Sequence, residues 1–173
     1  MITTSRFVLT ALTPNDATER YRSWLDDEAT STYIVSAKSP NSMADLRAYI
    51  ETRAARDDIL FLGIFTRDTH EHIGNIKYEP VNVKERYAVM GILIGEPSWR
   101  GRGVAAEVIR TSGLWLRDRH GIKEVILGIE REHRYAIKAY QKVGFRAELT
   151  DKIPVDPVKA IAMIWHLDPE TRA

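Results

Sequence analysis

The chain has 173 residues, 44% of them hydrophobic, and sets 25 basic against 24 acidic side chains for a net charge of +1. That is enough chain for a domain with a substantial core and too apolar a composition for a disordered polymer. The charge balance argues against a dedicated nucleic-acid binder, which carries a basic excess, and the absence of cysteine excludes disulfide frameworks, thiolate metal sites and a cysteine nucleophile.

The opening MITTSRFVLT has neither the basic leader nor the apolar segment of a signal peptide. No apolar run reaches the ~20 residues that span a bilayer. A cytoplasmic protein with no membrane partner is expected. No repeat, low-complexity tract or linker divides the sequence, so residues 1–173 are expected to form a single domain.

In chain order, Arg6–Leu12 reads as a first strand. Thr13-Pro14-Asn15-Asp16 predicts a helix start, with threonine as N-cap, proline at the first position and an acid in the first turn. Ala17, Tyr21, Trp24 and Leu25 then share one helical face. Ser42-Met43-Ala44-Asp45 opens a second helix in the manner of a capping box, with Met43, Leu46, Tyr49 and Ile50 as its apolar stripe. Val35–Asn41 between them reads as a loop. Three strands follow at Leu60–Phe65, Ile73–Glu79 and Ala88–Ile94, the first two joined by the polar turn Arg67–Glu71. The third is almost wholly apolar, the pattern of a central strand buried on both faces.

Pro97 ends that strand, and a helix is expected from Arg102 to Arg119 with Ala105, Val108, Ile109, Ser112 and Leu116 inward and Gly121 as its stop. Lys123–Ile129 is a further strand. Arg134–Lys142 is a short helix closed by Gly144. Phe145–Leu149 and Ala160–Leu167 are the last strands. The order β-α-α-β-β-β-α-β-α-β-β predicts a mixed α/β domain.

Between the apolar strand and the long helix lies Trp99-Arg100-Gly101-Arg102-Gly103-Val104-Ala105. Glycines let the backbone approach a ligand closely. The unpaired N–H groups of a helix's first turn, with its dipole, attract phosphate. A plain tight turn needs fewer glycines and no arginines. Gly101, Gly103 and Ala106 also match the dinucleotide pattern G-x-G-x-x-A, but that motif belongs near the first strand of a βαβ unit, and here several elements precede it.

A second segment, Ala136-Ile137-Lys138-Ala139-Tyr140-Gln141-Lys142-Val143-Gly144-Phe145, places a tyrosine on a short helix before a Gly-Phe stop. With it the chain resembles the GNAT (GCN5-related) N-acetyltransferase superfamily. Arg100-Gly101-Arg102-Gly103-Val104-Ala105 matches its [QR]-x-x-G-x-[GA] signature, and the second segment is similar to its A-I-x-x-Y-x-K-x-G-F run. The resemblance covers nearly the whole chain. It implies a central splayed, mainly antiparallel sheet flanked by helices, and acetyl-coenzyme A as cosubstrate with no metal.

On that resemblance, Arg100, Gly101, Arg102, Gly103, Val104 and Ala105 hold the pyrophosphate. Ile92, Leu93 and Ile94 offer main-chain groups to the pantetheine arm, and the thioester lies where the strands part. An amine attacks the acetyl carbonyl directly. Tyr140 is the implied general acid for the departing thiolate, and also a cofactor contact. Glu130, Glu96 and His133 are alternative bases, with bulk water as another acceptor of the proton. His133 stands where many family members carry an asparagine that contacts pantetheine, and Arg134 and Lys138 are candidate phosphate partners. Glu107 reads as structural, stabilised at a helix N-terminus.

Arg6-Phe7-Val8-Leu9, Tyr21–Leu25 and His72-Ile73-Gly74-Asn75-Ile76 resemble the Rim-like branch of the superfamily. His72–Pro80 looks like members acting on nucleotide-linked amino sugars. The expected partner is therefore a small-molecule amine, and family habit adds a homodimer. Acetylation of a protein α-amine or a polyamine, and a coenzyme A-binding module without turnover, are the alternatives. The specificity segments are Trp24–Ser42 and Asn75–Tyr87, with Asp26, Asp27 and Glu28 against Lys38, Lys77, Lys84 and Arg86. Trp24, Lys77 and Tyr78 are the candidate substrate contacts. Trp115 and Trp165 read as core, and His166 as pointing outward. No His/Asp/Glu spacing suits a metal, and G-x-x-x-x-G-K-[ST] does not occur.

Overall fold

Alternation of apolar residues sets the strands of this chain, and the sheet they form positions everything else. The computed structural model describes residues 1–26 and 42–167. Its strands are β1 Ile2–Thr3, β2 Phe7–Ala11, β3 Leu60–Thr66, β4 His72–Asn82, β5 Tyr87–Ile94, β6 Glu124–Glu130, β7 Arg146–Ala147 and β8 Ala160–His166. Its helices are α1 Glu19–Asp26, α2 Met43–Ala54, α3 Val104–His120 and α4 Arg134–Val143, with 3-10 turns at Pro14–Asp16 and Pro97–Trp99. The strands of the described residues make one sheet in the order β1-β2-β3-β4-β5-β6-β8-β7. Every pairing is antiparallel except β5 with β6.

Two apolar cores cover the two faces. Val104, Val108, Ile109 and Leu116 of α3 pack with Ile76, Tyr78, Ala88, Met90, Val125 and Leu127 on one side, joined by Ala136, Ile137 and Tyr140 of α4. On the other, Tyr21 and Trp24 of α1 and Leu46 and Ile50 of α2 pack with Phe61 and Leu93. α2 starts as expected, with the Ser42 side chain accepting from Asp45 N at 3.0 Å, and Gly121 stops α3 at φ +66°.

The structure departs from the sequence reading at five places. The two-residue strand β1 precedes the strand expected to be first and pairs with it through Ile2↔Leu9 and Thr3↔Val8. Thr13 heads a single 3-10 turn, its N–H and hydroxyl both donating to Asp16 Oδ2 at 2.7 and 2.8 Å. The helix proper restarts at Glu19, where Thr18 Oγ1 accepts from Tyr21 N at 3.1 Å, so the chain turns a corner that an uninterrupted helix would miss. β5 is central but not buried on both faces: Ala88 and Met90 are buried, Gly91 is exposed, and Ile92, Leu93 and Ile94 are half-buried. The last segment before the Pro154/Pro157 loop pairs only over Arg146–Ala147, and Leu149 is fully exposed. β4 runs on to Asn82, with its register broken between Tyr78 and Val81, where Pro80 has no N–H to donate. The loop expected at Val35–Asn41 lies outside the described residues. No helix among the described residues is long and apolar enough to cross a membrane.

Candidate active site

Gly101 and Gly103 both take positive φ, +72° and +74°, a region that a Cβ makes costly by roughly 1–2 kcal/mol. Gly103 is the N-cap of α3 and has no side chain to satisfy the first turn. The first intrahelical bond runs from Glu107 N to Gly103 O at 3.2 Å, so the N–H groups of Val104, Ala105 and Ala106 have no partner within the helix. Where the two glycine Cβ atoms would lie, the nearest atoms are the Tyr135 hydroxyl at 3.6 Å and an Arg6 guanidinium nitrogen at 3.9 Å. The loop is thus shaped for an oxyanion held by main-chain donors at a helix N-terminus.

The arginines of this loop serve it unequally. Arg100 donates from Nε to Ile94 O and from Nη2 to Gly95 O, both at 3.0 Å, strapping the loop to the end of β5. Arg102 lies 5.7 Å over the Trp99 ring, and its carbonyl accepts from Arg6 Nη2 at 3.1 Å. Glu107 anchors the N-terminal hairpin to α3, accepting from Thr4 Oγ1 at 2.7 Å, Arg6 N at 2.8 Å and Arg6 Nε at 2.7 Å. Burial raises its carboxyl, but these bonds outweigh it and hold the pKa below the ordinary value. The sequence reading of Glu107 as structural stands.

β5 and β6 pair only over Tyr87↔Glu124, Ala88↔Val125 and Val89↔Ile126. Past that point the edge of β5 facing β6 has no strand partner among the described residues, while β4 still holds the other edge at Ile76↔Ile92, Asn75↔Leu93 and Gly74↔Ile94. Main-chain groups on the open edge suit an extended ligand arm added like a short strand. The Ile94 carbonyl is already used by Arg100. The gap is a cleft of about 140 Å³ lined by Met90, Gly91, Ile92, Leu127, Gly128, Ile129, Glu130, His133 and Tyr140.

Tyr140 reaches this cleft from α4, its ring 5.8 Å from Phe145. Burial pushes its phenol up to about 12, so it is protonated at neutral pH, as a proton donor must be. Glu130, at the end of β6, and His133, at the N-cap of α4, line the same cleft. Burial lowers the His133 pKa, and the Glu130 carboxylate opposes part of that shift. The imidazole is then neutral at pH 7 and able to accept a proton.

Other predicted residues are placed elsewhere. Glu96 accepts from Arg20 Nε at 2.7 Å and from Trp24 Nε1 at 3.1 Å, so it is an anchor for α1, away from the cleft lining. Trp24 is buried, with its ring against Gly95 and 5.0 Å from His72; it is a packing residue, with no face left for stacking. Tyr78 is fully buried on the α3 side, its hydroxyl 2.7 Å from Ser112 Oγ, which removes it as a substrate contact. Lys77 points to the α2 side, donating to Tyr49 OH at 3.0 Å and paired with Glu79 at 2.7 Å. Trp165 is core, close over Gly113 and Gly144, and Trp115 packs against the same core. His166 is exposed, bonded to Glu148 at 3.0 Å. Asp27, Glu28 and Lys38 lie outside the described residues. Among the described residues no three His, Asp or Glu side chains group as metal ligands.

Sequence reasoning missed Gly91 and Gly128, one on each strand where the two part. A glycine inside a strand marks a bulge or a close approach by a ligand, so that signal was present. It named Asn75 only as the start of a specificity segment; among the described residues its buried amide nitrogen has no hydrogen-bond partner.

The acetyltransferase (GNAT) domain family model matches residues 6–146. A search of curated proteins by sequence gives no match. Among solved structures, spermidine N-acetyltransferase from Vibrio cholerae in complex with CoA and spermine superposes with a TM-score of 0.78 at 18% identity, over 94% of this chain and 96% of that one. An acetyltransferase (GNAT family) from Bacillus anthracis gives 0.79 at 15% identity, over 96% and 98%. A protein from Vibrio cholerae described as a ribosomal-protein-serine acetyltransferase gives 0.76 at 15%, over 95% and 96%. At these identities the likeness is one of fold.

Proposed function

This chain belongs to the GNAT acetyltransferase family and is an acyltransferase with acetyl-coenzyme A as donor, and from that premise we propose that it acetylates a small primary amine by direct transfer in the cleft between β5 and β6. The observation that carries this reading is the parting of those strands after Val89 and Ile126, with the Tyr140 phenol in the gap. The loop and the open strand edge fit the donor: Gly101, Gly103 and the first-turn N–H groups of α3 suit its pyrophosphate, joined by Arg102, and the backbone of Ile92 and Leu93 suits its pantetheine. Arg100 supports the loop from behind. Bound acetyl-coenzyme A supplies an acetyl thioester.

In the transfer the amine nitrogen bonds to the acetyl carbon, the carbon–sulfur bond breaks, and the nitrogen loses a proton. Glu130 or His133 takes that proton, directly or through water. Tyr140 gives its phenolic proton to the departing sulfur and recovers one from solvent. The products are an N-acetyl amine and the free thiol. Burial in the cleft keeps the phenol neutral until that step.

For the acceptor we place a nucleotide-linked amino sugar first, on the likeness of His72–Pro80 to family members of that kind and on the position of Lys77 beside the cleft strand. A polyamine is the second reading, supported by the fold shared with spermidine N-acetyltransferase. The Rim-like placement is part of the proposal, supported by the fold shared with the ribosomal-protein-serine acetyltransferase. So are the single-domain organisation, the cytoplasmic location and a homodimer; one spermidine N-acetyltransferase neighbour is dodecameric, and sedimentation tests assembly here. The deciding experiment is thiol release from acetyl-coenzyme A with a panel of amino sugars, nucleotide amino sugars, polyamines and peptides. Release with at least one amine is expected. Tight cofactor binding with no release from any would make the chain a binding module.

A further inference from the structure

The side of the sheet opposite α3 has an unusual polar balance beside the cleft. Ala88 and Met90 of β5 belong to the α3-side core, so Gly91 and Leu93, one position out of phase, face the α2 side. Their cross-strand partners on β4 are Lys77 and Asn75, and directly paired residues share a face. On β6, Leu127 and Ile129 belong to the α3-side core, which puts Gly128 on the same side as Gly91. A Cβ at Gly91 would meet nothing within 4 Å, and one at Gly128 only Ile153 at 3.5 Å and Val155 at 4.0 Å. The splayed strands therefore present a floor without side chains, and Lys77 and Asn75 stand at its edge.

Both of these side chains have hydrogen-bond donors to spare. Lys77 Nζ has three N–H groups, and its partners are Tyr49 OH and Glu79. Glu79 is also shared with Arg53 at 3.1 Å and Arg56 at 3.7 Å, so cations outnumber carboxylates around it even with Asp58 paired to Arg56. Asn75 is 4% exposed, and its Nδ2 has no partner among the described residues. His72 Nε2 lies 3.1 Å from Gly74 O and 2.9 Å from Asn75 Oδ1. With the proton on Nε2, the Gly74 and Asn75 oxygens both accept from it and the amide nitrogen of Asn75 is turned away. A buried amide N–H₂ without an acceptor is destabilising unless something else supplies one.

We propose that this face seats the non-reacting part of the acceptor, and that the acceptor is an amine carrying an oxyanion, phosphate or carboxylate, held by Lys77 and Asn75. The proposal rests on the acetyltransfer reading and narrows it. Among the described residues, the spare groups of Lys77 and Asn75 are donors, and Lys77, Arg53 and Arg56 share the carboxylates of Glu79 and Asp58. A polyamine brings further donors and positive charge, and meets neither need. An oxyanion meets both.

The test uses matched amines in the thiol-release assay: glucosamine 6-phosphate against glucosamine for the phosphate source, a dipeptide with a free carboxylate against its C-terminal amide for the carboxylate source, and spermidine. In one pair the anionic member is expected to have at least tenfold higher kcat/KM, mostly through KM, and to exceed spermidine. Lys77→Met should bring that ratio down about tenfold. Asn75→Asp, with its circular dichroism checked, should move preference toward spermidine. Equal use of both members in each pair, spermidine as best substrate, or a ratio unchanged in Lys77→Met would overturn the proposal. If no amine releases thiol, acetyltransfer fails. The seat is then decided by calorimetric titration of the coenzyme A-loaded protein with glucose 6-phosphate and with glucose. Phosphate-dependent binding lost in Lys77→Met supports it, and no difference overturns it.

Discussion

Tyr140 is a residue whose setting, more than its type, suits it to the chemistry. Its phenol is raised by burial alone, so wild-type turnover should show no alkaline loss from this group below about pH 10. Tyr140→Phe keeps the ring against Phe145 and removes only the proton. A fall in kcat of about 10²-fold with little change in KM is expected from steady-state kinetics; unaltered kcat would end the general-acid assignment. His72 illustrates the opposite linkage. It is stacked on Phe65 at 4.7 Å, and burial outweighs its bond to Asn75 and lowers its pKa from 6.5. Above the unfolded value it is neutral in both states, and its contribution to stability is complete. As pH falls below 6.5 the unfolded chain takes up a proton that the folded one resists, so stability is lost. Urea midpoints measured from pH 7.5 down to 5 should decline, and His72→Gln should flatten that slope. An identical slope in the variant would place the acid sensitivity elsewhere.

Among the elements, the loop leading into α3 carries the strongest conformational demand. Gly101 and Gly103 are held at positive φ while Arg100 straps the turn to β5 and Arg6 with Glu107 straps the helix start to the N-terminal hairpin. The turn is therefore braced from both sides before any ligand arrives, which limits the ordering cost of binding. Gly103→Trp puts a large side chain over the open N–H groups. Its coenzyme A dissociation constant should rise at least tenfold by calorimetry while the far-ultraviolet circular dichroism stays native. Unchanged affinity would move the pyrophosphate site to another part of the chain.

At the scale of the molecule, the decisive feature is that β5 and β6 pair over three residues and then part. The α3-side core holds both strands by Met90 and Leu127, while the opposite side at that level has Gly91 and Gly128, with the Ile153 and Val155 side chains beside Gly128. Gly91→Leu adds a side chain into open space in an extended strand, so the melting temperature should change little. KM for the acceptor amine should rise roughly tenfold with coenzyme A affinity retained, because a leucine there fills volume an amine needs. Equal weakening of both substrates would show that the two are not held on separate sides of the sheet.

The sequence alone determined the order of the elements after the short β1, the inward face of α3 and the stop at Gly121, because hydrophobic periodicity and glycine conformations are local properties. The proposed donor half of the site was legible there too, since Arg100–Ala105 and Ala136–Phe145 are contiguous runs whose motifs can be read without the fold. The proposed acceptor half rests on tertiary structure. Glu96 and Trp24 looked like site residues until α1 folded against the end of β5 and paired them with each other. Tyr78 and Lys77 are neighbours in sequence, but the pleat sends one to Ser112 and the other to Tyr49. Asn75 gave no signal by itself. Its importance rests on which nitrogen of His72 carries a proton and on what lies across the strand, and those are facts of packing between residues brought together by the sheet.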